Sequence, residues 1–155
     1  MKKLKSKILT LTIIISTLTA CTENEKVEKE PNHLLGNWQL EKTDTKLTSN
    51  GEIIINHIDF PTQESGSKTE YSFVNDSVLI YYLHTPATGI FGSKDEAGQT
   101  TYFKNGNKLT LKLKNIRTYD IKFLDEKNLH LHNYISDTLE GTITTLEVTY
   151  KFNKI

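Results

Sequence analysis

The sequence predicts an all-β protein that folds as an antiparallel up-and-down barrel of about eight to ten strands. Apolar and polar residues alternate with a period of two along most of residues 32–155, and helical periodicity is nearly absent. Turn-forming pairs separate many of the alternating segments at the spacing typical of sandwiches and barrels. Of the 155 residues, 36% are hydrophobic and 9% are aromatic, which is enough to form a core.

The first twenty residues have the composition of a secretory signal peptide. Residues 1–7 contain four lysines, residues 8–18 are largely apolar, and Ala20 is small. The apolar run is shorter than the roughly 20 residues that cross a bilayer as a helix. Leu18-Thr19-Ala20-Cys21 then resembles the lipobox of bacterial lipoproteins. The resemblance implies cleavage after residue 20, acylation of Cys21, and a lipid-anchored protein in the bacterial cell envelope, on either face of the outer membrane.

A polar segment joins this lipobox to the predicted domain. Residues 22–31 read TENEKVEKEP and contain a single aliphatic side chain, so we expect residues 21–31 to be a disordered linker. The full chain has 19 basic and 19 acidic residues, but its first seven residues hold four of the lysines. The mature protein would therefore be acidic, which argues against nucleic acid as a partner.

The strands are expected in the following order along residues 32–155. Trp38 and Leu40 mark the first strand, and the run Ile53–Ile55 marks the second. The pair Asn75-Asp76 lies between two alternating segments and predicts a hairpin. Asn105-Gly106 predicts another hairpin, because Asn-Gly readily adopts positive φ angles. The last strands follow from alternation in the segments 108–114, 119–123, 129–131 and 146–152.

The domain begins with the G-x-W pattern of Gly36-Asn37-Trp38. A tyrosine strand, the Asn-Gly hairpin, a Y-x-I…L-x-L pattern at Tyr119–Leu131 and a Y-x-F at Tyr150–Phe152 follow in that order. This series of motifs resembles the lipocalins, and more closely the lipocalin-like domains of bacterial lipoproteins. The resemblance implies that Trp38 closes one end of the barrel and that Gly36 permits the tight turn before it.

Tyrosines at alternating positions are the candidate ligand-binding residues. Tyrosine combines an apolar ring with a polar hydroxyl, which suits an amphipathic ligand such as a lipid or small aromatic molecule. The same residues would equally suit a small barrel filled by its own side chains. The residues predicted to point inward are Tyr71, Tyr82, Tyr102, Tyr119 and Tyr150.

A second candidate is the predicted long loop His84–Gly98. Its centre carries Ile90-Phe91 between glycines, and exposed apolar residues in a long loop are often functional. The loop could cover the barrel mouth as a lid, contact a partner protein, or cap the domain's own core.

The sequence offers little support for catalysis. It contains no nucleophile elbow, P-loop or Rossmann glycine pattern. His130 and His132 have the spacing of zinc ligands, but Leu129 and Leu131 occupy the inward positions, so both imidazoles should face outward. We therefore predict no catalytic residues, no metal and no cofactor.

The function that best fits the sequence is binding of a small hydrophobic or amphipathic ligand by a membrane-anchored, non-enzymatic lipoprotein. The alternative is a non-catalytic interaction module, either a subunit of an envelope complex or an inhibitor of a hydrolase. A cavity above roughly 300 Å³ would favour the ligand, and a filled core with an exposed apolar loop would favour the partner protein.

Overall fold

The computed structural model describes residues 32–155, and the predictions for the signal peptide, Cys21 and the linker concern residues outside this range. The described segment contains nine strands and one short helix. Within it, no helix is long and apolar enough to cross a bilayer. The elements in chain order are β1 (Gly36–Ser49), β2 (Glu52–Asp59), α1 (Pro61–Glu64), β3 (Lys68–Phe73), β4 (Val78–Thr85), β5 (Lys94–Asn105), β6 (Lys108–Lys112), β7 (Ile116–Leu124), β8 (Asn128–Leu139) and β9 (Thr142–Lys154).

Eight of these strands form a closed antiparallel barrel, so the predicted fold class is confirmed. Strands β3 to β9 pair in sequence order, and β9 returns to pair with β1. The β1–β9 register runs from Trp38 opposite Lys154 to Ser49 opposite Thr144, with one bulge after Leu40. All of these pairings join residues within 32–155, which form one compact unit.

Strand β2 lies outside the ring of eight. The first residues of β1, Gly36–Gln39, pair with β3, whereas its second half, Thr43–Ser49, pairs with β2 along the same edge. The chain therefore turns at Asn50-Gly51 and runs back beside β1, and α1 leads it into the barrel at β3. Strands β1, β8 and β9 continue beyond the ring. Together with β2, their ends form a sheet that projects from one end of the barrel.

Trp38 lies at the opposite end of the barrel, here called the closed end. Its side chain is fully buried, and its indole Nε1–H donates a hydrogen bond to the Leu34 carbonyl at 2.8 Å. The Lys154 ammonium lies 5.1 Å from the centre of the Trp38 ring, a cation–π contact. Gly36 has a φ of 121°, and a Cβ atom there would lie 2.6 Å from Cε of Lys154. The positive φ favours glycine at this position, and a side chain here would also displace the flexible end of Lys154.

Two of the predicted hairpins are present, and their turn chemistry is visible. In the β3–β4 turn, the Asn75 side-chain oxygen accepts hydrogen bonds from the backbone N–H groups of Ser77 (3.0 Å) and Val78 (2.9 Å). In the β5–β6 turn, Gly106 takes a φ of 54°. These turns fix which residues of the adjoining strands lie opposite each other.

Two expectations about the strands were wrong. The predicted loop His84–Gly98 is shorter, because β4 extends to Thr85 and β5 begins at Lys94. The alternation also breaks in β7, where the register shifts between Ile121 and Phe123. This bulge turns Phe123 to the outer surface, where its ring lies 5.3 Å from that of His130.

Candidate functional site

A cavity of about 350 Å³ occupies the barrel at the end opposite Trp38. Its deeper wall is made by apolar side chains of the core, including Leu40, Leu131 and Phe152, and its sides by aromatic rings. This volume lies at the lower end of the roughly 300–1,000 Å³ typical of small-molecule sites. The complete lining is Leu40, Thr69, Tyr71, Tyr81, Leu83, Glu96, Leu113, Lys114, Asn115, Arg117, Tyr119, Leu131, Tyr150 and Phe152.

Four tyrosines give the cavity its amphipathic character. Tyr71 and Tyr81 lie opposite each other on β3 and β4, and the rings of Tyr119 and Tyr150 meet edge to face at 5.8 Å. Burial raises the pKa values of Tyr71 and Tyr150 above the ordinary range, so these hydroxyls are neutral hydrogen-bonding groups at physiological pH. The cavity therefore combines apolar surface with hydroxyls that can orient a ligand.

Arg117 is a charged residue at the mouth of this cavity. It stands two residues before the buried Tyr119 on β7 and lies opposite the buried Leu111, so its side chain belongs to the inward-facing set. Hydrogen bonding to the Tyr119 hydroxyl is the largest of the effects that raise the pKa of its guanidinium. Arg117 thus carries a permanent positive charge next to the tyrosines.

The structure brings only part of the predicted set of tyrosines to the cavity. Tyr71 and Tyr119 line it, as does Tyr150. Tyr102 points inward but lies toward the closed end, where its ring meets Phe73 edge to face at 4.9 Å. Its hydroxyl donates a hydrogen bond to the Asn75 carbonyl at 2.6 Å, so it belongs to the core and does not line the cavity.

Tyr82 faces the outer surface, so the expectation that it points inward was wrong. Its hydroxyl donates a hydrogen bond to the Asp95 carboxylate at 2.8 Å. The β3–β4 hairpin places Phe73 opposite Leu79 and therefore Tyr71 opposite Tyr81. Because side chains alternate along a strand, the inward tyrosine of β4 is Tyr81.

Ile90 and Phe91 lie in the short β4–β5 connection and are exposed. Their exposed fractions are 94% and 72%, and neither residue lines the cavity. The connection is tightened by a bridge between Thr88 and Phe91, in which each N–H donates to the other's carbonyl at 3.0 Å. The interpretation that this segment caps the core is therefore wrong, and a role as lid or partner contact stays a prediction.

The histidines with zinc-ligand spacing face outward, as the alternation predicted. His130 contacts Phe123, and His132 Nδ1 lies 3.1 Å from Thr149 Oγ1. His84 is also on the outer face, with Nδ1 2.7 Å from the Asp95 carboxylate. This contact and the Tyr82 hydrogen bond lower the pKa of Asp95.

A different set of metal-ligating side chains lies near β2. Donor atoms of His57, Asp59 and Glu64 lie within 4.8 Å of one another, although His57 and Glu64 are exposed. His57 and Asp59 share a face because they are two residues apart on a strand, and α1 brings Glu64 to them.

Sequence reasoning missed Tyr81, Arg117 and Lys114. Arg117 could have been found, because it has the same parity as Tyr119 and Ile121 in an alternating strand. The sequence does not show whether Tyr81 or Tyr82 faces inward, because the run VLIYYL of β4 is apolar or aromatic at every position and has no alternation. Lys114 follows the end of β6, where the turn geometry decides the direction of the side chain.

Comparison with known proteins finds matches among solved structures. No protein-family model and no curated protein matches the sequence. A deswapped triple mutant of bovine odorant-binding protein shares 18% identity over 79% of this chain and 74% of its own, with a TM-score of 0.44. Bovine odorant-binding protein in complex with undecanal shares 17% identity over 84% and 77% of the two chains, also with a TM-score of 0.44.

Proposed function

We propose that this protein is a lipid-anchored envelope protein whose barrel binds one small hydrophobic or amphipathic molecule, without catalysis. The observation that carries the proposal is the cavity of about 350 Å³ at the open end of the barrel. Its wall combines leucines with tyrosines, the composition expected for an amphipathic guest. Its volume also exceeds the roughly 300 Å³ that separates a ligand site from a filled core.

The binding part of the proposal is tested by filling the cavity. Leu83 lines the cavity, whereas Ile80 lies on the outer face of the same strand. We expect Leu83→Trp to weaken binding of the fluorescent amine N-phenyl-1-naphthylamine at least tenfold in a titration of residues 32–155. Ile80→Trp is the matched control and should bind like the wild type. Absence of saturable binding by the wild-type protein, or equal loss in both variants, would contradict the proposal.

The anchoring part of the proposal rests on the sequence, namely on the resemblance of Leu18-Thr19-Ala20-Cys21 to a lipobox. Metabolic labelling with an alkyne fatty acid should mark the wild-type protein and not Cys21→Ser. An unlabelled wild-type protein would exclude the lipoprotein assignment.

The exposed apolar residues favour the second candidate function, a protein-interaction module. Ile90 and Phe91 project into solvent, and the isoleucines of β2, such as Ile53 and Ile54, are exposed as well. Exposed apolar groups of this size are typical of surfaces that meet another protein. Cross-linking in intact cells with a photoreactive amino acid in place of Phe91 would identify such a partner. Adducts at this position and not at Phe103, an exposed aromatic residue elsewhere, would support this role.

A further inference from the structure

The charged residues at the cavity mouth indicate which kind of amphipathic ligand the cavity binds. Three charged residues line the cavity, namely Arg117, Lys114 and Glu96. The Glu96 carboxylate lies 3.7 Å from the Lys94 ammonium, and this lysine offsets the negative charge of Glu96. Among residues 32–155, no ion pair within 4 Å involves Arg117 or Lys114. Among the described residues, the cavity lining therefore carries more positive than negative side chains, and both Arg117 and Lys114 lack an ion-pair partner within 4 Å.

The hydrogen-bonding groups around Arg117 also suit an anion. A guanidinium has five N–H donors in a planar fork that matches the oxygens of a carboxylate or phosphate. Tyr119 lies beside it on the same face of β7, and Tyr71 and Tyr150 line the same cavity. The phenolic hydroxyls add further donors, and the raised pKa values of Tyr71 and Tyr150 keep their protons in place. A negatively charged head group would thus meet several donors at one point.

The rest of the cavity sets the direction of the guest. Below the tyrosines the wall is formed by Leu40, Leu131 and Phe152, and the barrel is then closed by Trp38. A polar head is therefore favoured at the mouth and an apolar tail toward the base. The volume of about 350 Å³, at the lower end of the small-molecule range, suits one acyl chain better than two.

We propose that the ligand is a single-chain anionic amphiphile whose acidic head is bound by Arg117 and Tyr119 and whose tail enters the barrel. This inference rests on the proposed ligand-binding function and adds the charge, the chain number and the orientation of the ligand. A fatty acid and a phosphate-headed single-chain lipid share this chemistry.

The test compares four probes that share a twelve-carbon chain and differ in the head group. Dodecanoate, dodecyl phosphate, 1-dodecanol and dodecyltrimethylammonium are titrated into residues 32–155 by calorimetry, each below its micellar concentration. We expect at least one of the two anions to bind about tenfold or more tightly than the alcohol, because hydrogen bonds to charged groups are the stronger ones. The tighter anion identifies the head group, and the cation should bind most weakly.

Variants of Arg117 show whether this residue is responsible. Arg117→Gln should bring the affinity for the anion down to that for the alcohol, while binding of the alcohol stays within about twofold of wild type. Arg117→Lys should keep most of the preference, which excludes misfolding as the cause. Lys112→Gln removes the same charge from the outer face of the neighbouring strand and should change neither affinity.

The possible failures are distinguishable. If no probe binds the wild-type barrel, the proposed ligand-binding function itself is wrong. If the alcohol or the cation binds as tightly as the anions, the barrel still binds ligands but the assignment of an anionic guest is wrong. An anion preference that survives in Arg117→Gln would also overturn the role given to this residue.

Discussion

At the scale of single residues, the closed end of the barrel depends on a few contacts around Trp38. Its ring is buried, its N–H has a partner in the Leu34 carbonyl, and Lys154 covers one of its faces. Gly36 provides the space in which the lysine lies. The G-x-W pattern singled out Gly36 and Trp38, because the two residues are close together in the sequence. It did not predict the role of Lys154, because that contact joins the two ends of the domain.

Replacing Trp38 with Ala should lower the free energy of unfolding by about 3–5 kcal/mol, the range for large core residues. The change removes a fully buried ring and leaves a cavity at the base. Phe103→Ala is the control, because Phe103 is an exposed aromatic residue and should cost within about 0.5 kcal/mol. Urea denaturation with matched m-values measures both. A loss below about 1 kcal/mol for Trp38→Ala would remove this residue from the core.

Gly36→Ala should destabilise the barrel more than Gly51→Ala. Both glycines have positive φ angles, 121° and 85°, so both substitutions introduce backbone strain. Only the Cβ atom at Gly36 meets a neighbour, Lys154, and displacing that lysine also removes its contact with Trp38. We expect a difference of about 1 kcal/mol in urea denaturation. Equal losses would show that the lysine is not held at this position.

Tyr71 makes stability sensitive to alkaline pH. Burial is the main reason why its pKa is raised above the ordinary value. When the pKa of a group is raised on folding, its contribution to the stability of the folded state is fully present below the pKa of the unfolded state, about 10 for tyrosine. That contribution is lost as the pH rises from this value through the raised pKa of the folded state. We therefore expect the free energy of unfolding to fall more steeply between about pH 9 and 11 in the wild type than in Tyr71→Phe. Parallel curves would show that this hydroxyl ionises freely.

At the scale of the elements, the alternation of side chains explains what was predicted well and what was not. Strand β9 alternates from Leu146 to Phe152, so its inward face could be read directly. Strand β4 is apolar or aromatic on both faces, so its parity depends on how the preceding hairpin aligns Phe73 with Leu79. In β7 a bulge reverses the parity after Ile121. Register and bulges are set by pairing between strands, which single-strand patterns do not contain.

In the β4–β5 connection, an effect on ligand binding can be measured separately from an effect on the stability of the barrel. Phe91→Ser should change the free energy of unfolding by less than about 0.5 kcal/mol, because Phe91 is exposed and outside the cavity. The rate of ligand release, measured on the same variant by stopped-flow displacement, separates the remaining roles. A faster release would assign a lid, since a lid slows escape. A stability loss of about 2 kcal/mol or more would contradict the exposed position of Phe91.

At the scale of the whole molecule, the two ends of the barrel have different properties. The closed end contains the buried indole of Trp38 and receives the chain from residue 32. The open end contains the cavity, and β2 with the ends of β8 and β9 projects beyond the ring there. The barrel itself followed from the alternation and the turn residues. The cavity did not, because its volume depends on how side chains from seven strands fill a closed ring.

The central claim is that a ligand binds inside the barrel and not on its exposed apolar surface. Methyl NMR of residues 32–155 during a titration with dodecanoate tests this directly, because both regions carry methyl groups. We expect saturable chemical-shift changes at Leu40, Leu83 and Leu131, which line the cavity, and no comparable change at the exposed Ile53 and Ile90. Changes confined to Ile53 and Ile90, with the cavity leucines unaffected, would contradict the proposed function.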